Sequence, residues 1–306
     1  MDIPSIRQNA IKRIWVFSDL QQSVPENARR CMLAGVSDFL SLEIPVDAVC
    51  YLGDTTEGTS LPHLREMAEM QVEALSRVDA PVYYAMGNHE FDYHRAMDLP
   101  GRVTIPMRDR VLRESQWHTS PRVSDPFFSV DLGGLTLAFL TDCAAEDGSW
   151  WTTHCWPNPR GEIDAHPSRW VESQARVRGL LSGIDTPFFL FSHYGFPGGN
   201  RDDEGPLQRM LLPLPGNAIA HFYGHSHCGD HVWGKRNFLR QISTIDESGV
   251  TQFDIASFED IRGSAVRSAI IEWYGGQSYG VFFRDHSARA WTKTYLQSSN
   301  PIGRMR

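Results

Sequence analysis

Five apolar runs in this chain each end in a polar residue or cluster, and that repeated junction constrains the fold more than any other feature. Ile14–Ser18 runs into Asp19-Leu20-Gln21 and Ala48–Leu52 into Gly53-Asp54-Thr55-Thr56-Glu57. Val82–Met86 runs into Gly87-Asn88-His89-Glu90, Phe188–Ser192 into His193, and Ala218–Tyr223 into Gly224-His225-Ser226-His227. Short runs rich in β-branched and aromatic residues read as buried strands. Helical spacing fills the gaps between the first three. Residues 26–41 put Met32, Leu33, Val36, Phe39 and Leu40 on one face, and a helix starting near residues 59–62 repeats apolar residues at Leu64, Met67, Ala68, Leu75 and Val78. Strands alternating with helices predict a parallel sheet covered by helices. The C-terminal strand ends of such a sheet open on one crevice, so the polar tips should meet there.

The rest of the chain is less regular. Residues 92–130 have no clear period and read as a loop-rich excursion with short helices, and Leu135–Thr141 is a strand that Asp142 caps. Residues 144–166, with Trp150, Trp151, His154, Trp156 and His166, form a stretch too long to be filler in a compact domain. A helix follows with Trp170, Val171, Val177, Leu180 and Leu181 inward, and the tail reads as antiparallel strands over 269–274, 279–284 and 290–296. With no repeat, linker or low-complexity segment, a single domain over 1–306 is expected. Its motif-bearing core spans 12–230 and its C-terminal strands 250–297.

Hydrophobic residues at 41% and charged residues at 22% are ordinary for a globular protein. The net charge of −8 argues against sequence-independent binding to a nucleic-acid backbone. A small anionic substrate stays open, because bound cations invert the local potential. Five scattered cysteines (31, 50, 143, 155 and 228) form no CxxC, so neither a disulfide framework nor a zinc knot is expected. The sequence shows no apolar signal segment and no run of membrane-spanning length, which makes a cytoplasmic location and no membrane partner the expectation. Oligomeric state is not legible.

Chemistry comes from the tips. On an extended segment Asp19 and Gln21 would point the same way, as would His225 and His227. Asp54 closes the neighbouring strand and is the natural bridging carboxylate. Asn88 offers a neutral amide oxygen, and His89, beside it, should face the substrate. Singly, each piece has a bland reading: a Gly-Asp turn, an Asn-His-Glu loop, a solvated pair of histidines. Their joint occurrence, each behind an apolar run, points instead to a cage for two divalent cations.

In those motifs the chain resembles the calcineurin-like metallophosphoesterases, whose pattern is Asp-x-His, Gly-Asp-x-x-Asp, Gly-Asn-His-Glu/Asp, a lone His and Gly-His-x-His. The superfamily includes phosphatases, phosphodiesterases and nucleases. The resemblance implies an α/β fold, a four-layer α/β/β/α sandwich of two mixed sheets flanked by helices, with the dimetal site at strand C-terminal ends. It also implies that Asp19, Asp54 and His227 bind one metal and Asp54, Asn88, His193 and His225 the other. His89 would contact the scissile phosphate or protonate the leaving group, and a carboxylate at Glu57 could pair with it. Gln21 stands where the family usually has histidine. Its harder amide oxygen favours Mn²⁺ or Mg²⁺, so Mn²⁺ is the first expectation, with Fe and Zn²⁺ as alternatives.

The implied activity is hydrolysis of a small phosphate mono- or diester. A nuclease is the rival within that chemistry, and an interaction scaffold that has lost its metals is the rival outside it. Arg201, Trp150, Trp151 and His231 are candidate substrate contacts. His154, His166 and His221 read first as surface or core histidines, and Cys228 as a small buried hydrophobe.

Overall fold

The computed structural model describes residues 9–57, 60–91, 105–141, 143–144, 150–151, 167–199, 206–227, 241–261 and 265–298. In chain order the elements are β1 (Lys12–Phe17), α1 (Pro25–Ser41), β2 (Ala48–Tyr51), α2 (Leu61–Leu75), β3 (Val82–Tyr84), α3 (Pro106–Val111), β4 (Trp117–His118), β5 (Phe127–Asp131) and β6 (Thr136–Leu140). Then come β7 (Cys143–Ala144), β8 (Trp150–Trp151), α4 (Pro167–Ser182), β9 (Phe188–Ser192), α5 (Pro206–Met210), β10 (Ala218–Tyr223), β11 (Ile242–Thr244) and β12 (Thr251–Asp254). The chain closes with β13 (Arg267–Gly275), β14 (Ser278–Asp285) and β15 (Ala290–Gln297).

Two mixed sheets result. One has the order β15-β14-β13-β1-β2-β3-β4, with β1 to β4 parallel and β13 antiparallel to β1. The other has the order β11-β12-β10-β9-β6-β5, with β6, β9, β10 and β12 parallel. β7 and β8 pair separately.

Alternation along the strands explains the layering. Trp15 and Phe17 turn outward to meet Met32, Val36 and Phe39 of α1, while Ile14 and Val16 turn inward. The inner faces bury Phe139, Phe189, Phe191, Phe222, Phe253 and Phe283 between the sheets. On the far side Phe188 and Leu190 pack with Val177 and Leu181 of α4, Leu207 of α5 and Leu211 just after it. Each such side chain contributes roughly 1.5–3 kcal/mol on burial. The four layers are therefore helices, sheet, sheet, helices, as the family resemblance implies.

Several details differ from the sequence reading. Leu33 and Leu180 are exposed, because the apolar faces of α1 and α4 are narrower than the residue pattern allows. β11 and β12 are too short to carry a period-two signal. β12 pairs parallel with β10, so the chain returns to the second sheet before crossing to the first at β13.

Candidate metal centre

β1, β2 and β3 run parallel in one sheet and β9 and β10 in the other, and the five loops at their C-terminal ends carry the candidate residues. Backbone lacing holds these loops together. Asp19 N–H donates to the Gly53 carbonyl at 3.0 Å, and Gly224 N–H to the His193 carbonyl at 3.1 Å. Close approach excludes any side chain at two glycines. A Cβ at Gly87 would lie 2.4 Å from Asp54 Oδ1, and one at Gly224 would lie 2.3 Å from Asp19 Oδ2.

Asp19, Asp54, His225 and His227 all sit at positive φ (58°, 52°, 67° and 56°). Non-glycine residues there store of order 1–3 kcal/mol each, and such strain gathers at functional sites. The premise that Asp19/Gln21 and His225/His227 project together from extended segments is corrected by these angles. Left-handed turns after β1 and β10 aim the side chains instead.

The two halves of the crevice share one arrangement. His193 Nδ1 donates to the Leu52 carbonyl at 2.7 Å, which leaves Nε2 facing Asp54 Oδ2 at 3.1 Å and His225 Nδ1 at 3.3 Å. His227 Nδ1 contacts Glu259 Oε1 at 3.1 Å, which leaves Nε2 facing Asp19 Oδ1 at 3.5 Å. Asp19 Oδ1 and Asp54 Oδ2 are buried and accept no hydrogen bond among the described residues. Each is thus a carboxylate oxygen opposite an imidazole nitrogen whose partner nitrogen is already committed. Ligands about 2.1 Å from one cation are separated by roughly 3.0–3.4 Å, which fits these spacings. Donor atoms of Asp54, His193 and His225 all lie within 4.8 Å of one another. Oxygen and imidazole donors of this kind suit a divalent cation.

Burial pushes the Asp19 carboxyl up from its ordinary range, against the pull of His227 and His193. Burial acts on Asp54 in the same sense, but His193, His89 and His225 together hold it well below the usual carboxylate range. His89 is the more open imidazole, with 22% of its side chain exposed against 1% for His193. Its backbone N–H donates to Asp54 Oδ1 at 2.9 Å. Asn88 and Gln21 are buried, and Glu57 is half-buried in the loop after Asp54.

Three supporting residues escaped the sequence reading. Glu90 accepts from the N–H groups of Asp54 (3.1 Å), Thr55 (2.7 Å) and Gly87 (2.5 Å), bracing the loops after β2 and β3. Burial and the nearby Asp54 charge raise its carboxyl. Tyr194 donates its hydroxyl to Asn88 Oδ1 at 2.7 Å, and Glu259 meets His227. Only Glu90 carried a signal, as the fourth residue of Gly-Asn-His-Glu. His221 is a core histidine, bonded to Ser192 at 2.7 Å and pushed down to about 3 by burial. Asp142, His154, Trp156, His166, Arg201, Cys228 and His231 lie outside the described residues, as do the side chains of Trp150 and Trp151.

The family model for calcineurin-like phosphoesterases matches residues 12–229. The chain belongs to that family. Comparison with curated proteins gives no match. Among solved structures, a purple acid phosphatase from yellow lupin (Lupinus luteus) seeds is similar at a TM-score of 0.54 and 12% identity, over 94% of this chain and 54% of the other. The NAD nucleotidase of Haemophilus influenzae gives 0.46 and 12%, over 96% of this chain and 52% of the other. The chain thus spans about half the length of either, and the likeness to the lupin enzyme speaks to the fold alone. No helix among the described residues is long and apolar enough to cross a membrane.

Proposed function

We propose that this phosphoesterase hydrolyses a small-molecule phosphodiester or phosphomonoester with two divalent cations. One is held by Asp19, Gln21, Asp54 and His227, the other by Asp54, Asn88, His193 and His225. The observation that carries this reading is the pair of buried, unbonded carboxylate oxygens, Asp19 Oδ1 and Asp54 Oδ2, opposite imidazole nitrogens at 3.5 and 3.1 Å. Mn²⁺ is the proposed ion, given the amide oxygens of Gln21 and Asn88, with Fe, Zn²⁺ and Mg²⁺ as alternatives.

When bound, the cations supply Lewis acidity toward phosphate oxygens and lower the pKa of an attacking water. The chain supplies the rest. His89, on the open side of Asp54, carries a proton on Nε2 toward the departing alkoxide, and Glu57 is the proposed carboxylate that keeps it protonated. The backbone braces from Glu90 and Leu52 keep Asp54 and His193 fixed while charge moves. Arg201, Trp150, Trp151 and His231 are the proposed substrate contacts. The buried thiols of Cys31 and Cys50 are free, which suits the reducing cytoplasm proposed as its location.

Elemental analysis together with Mn²⁺-supported hydrolysis of a nitrophenyl monoester and a bis-nitrophenyl diester tests the proposal. Two metal equivalents and turnover of either ester are expected. Trace metal with no turnover would overturn it in favour of an interaction scaffold.

A further inference from the structure

The segment following β12 lies beyond the family match, which ends at residue 229, yet it is built into the centre. Phe258 N–H donates to the Ser18 and Asp19 carbonyls at 2.7 and 3.1 Å, so its backbone is fastened to the residue that bears the Asp19 carboxylate. Asp254 is anchored to the other side of the site by the Ser226 hydroxyl, between His225 and His227. Immediately after Phe258, Glu259 is fully buried. Its Oε1 meets His227 Nδ1 at 3.1 Å, and its Oε2 accepts from Gln22 Nε2 at 2.9 Å. The Ile261 N–H approaches Oε2 at 3.3 Å.

A carboxylate on one imidazole nitrogen fixes the tautomer, holds the ring plane and raises the basicity of the other nitrogen. At the matching position of His193 the described partner is a backbone carbonyl, that of Leu52. The half of the centre in which Gln21 stands is therefore the half with the stronger imidazole support. Gln22, next in sequence to Gln21, also holds Glu259, so the loop carrying the weak amide donor and the strap carrying the carboxylate are one unit.

We propose that Glu259 is a positioning residue for the Asp19/His227 half of the centre, offsetting the weak donor at Gln21 by holding His227 with Nε2 toward Asp19. This rests on the two-cation reading above. Glu259→Gln keeps the shape and removes the charge. Titration of metal-stripped protein with Mn²⁺ is expected to show two binding events in the wild type. In the variant one should weaken 10–100-fold and the other stay within about twofold. The melting temperature of the metal-stripped variant should match wild type, while its rise on adding Mn²⁺ should shrink.

Two wild-type events with both affinities unchanged in Glu259→Gln would overturn the positioning role and leave the metal reading intact. So would equal weakening of both events, which marks a general structural role. A wild type that binds no Mn²⁺ would overturn both. Should Glu259→Gln not fold, Gln22→Leu, which keeps the carboxylate but removes the amide that holds its second oxygen, must weaken the same single event several-fold. No change in that variant would overturn the proposal.

Discussion

In the proposed centre, Asp54 is the residue shared by both halves. Its Oδ1 accepts from the His89 backbone while Oδ2 faces His193. Asp54→Ala is expected to strip both cations, and retention of two equivalents by elemental analysis would refute a bridging role. His89→Ala should lower kcat by about 10²–10⁴ on esters with poor leaving groups, the usual range for general acid catalysis, and less on nitrophenyl esters. Equal losses on both would leave His89 only a role in holding phosphate. Gln21→His should raise affinity for Zn²⁺ relative to Mn²⁺, because imidazole is the softer donor. An unchanged ratio in titrations of the metal-stripped protein would remove Gln21 from the ligands. The candidate ligands were legible because each is a polar residue at a strand tip. Tyr194 and Glu259 were not, because their partners stand 106 and 32 positions away and neither lies in a patterned segment.

At the scale of elements, one of the contacts between α1 and the strap after β12 falls on a glycine. A Cβ on Gly35 would fall 2.0 Å from Phe258 Cζ, inside the ring that stacks on Phe17. Mid-helix Gly→Ala ordinarily gains roughly 0.5–1 kcal/mol. Here overpacking, at about 1–3 kcal/mol, should dominate. Gly35→Ala is expected to lower stability in urea unfolding and, through Phe258 N–H on the Asp19 carbonyl, to weaken Mn²⁺ binding as well. A stabilised variant would show that the ring moves freely. β1, β2, β3, β9 and β10 were readable because each is continuously apolar. β4 has two residues and β11 three, below the length at which any period exists, and only pairing with neighbours defines them.

Across the whole molecule, buried polar groups set the response to acid. Asp38 on α1 accepts from Arg284 Nε and Nη2 at 2.8 and 2.9 Å and meets His286 Nδ1 at 2.8 Å, joining the helix layer to β14. Burial opposes ionisation, but Arg284 and His286 hold the Asp38 carboxyl well below its ordinary range. That contribution is present above its ordinary value of 3.8 and is lost as pH falls further. His221 has the same sense for a different reason. Burial holds it neutral in the fold down to about 3, whereas the unfolded chain takes up its proton near 6.5. Stability should therefore fall with decreasing pH across that window, by about 1.4 kcal/mol per pH unit for this group. In urea unfolding of metal-stripped protein at several pH values, His221→Gln should flatten that slope, and an equal slope would exclude His221 as its source.

The aromatic seam between the sheets has a further consequence. Asp19, Asp54 and Asn88 hang from one sheet and His193, His225 and His227 from the other, while Phe139, Phe191 and Phe222 stack face to face between them. These rings stand side by side on neighbouring strands of the second sheet and reach toward the first, so their length helps set the gap across which the two sets of donors face each other. Trimming Phe191 would let the sheets settle closer and retune which ion fits, through a residue that touches no ion itself. In this architecture the calibration of the metal centre resides in its hydrophobic filling as much as in its ligands.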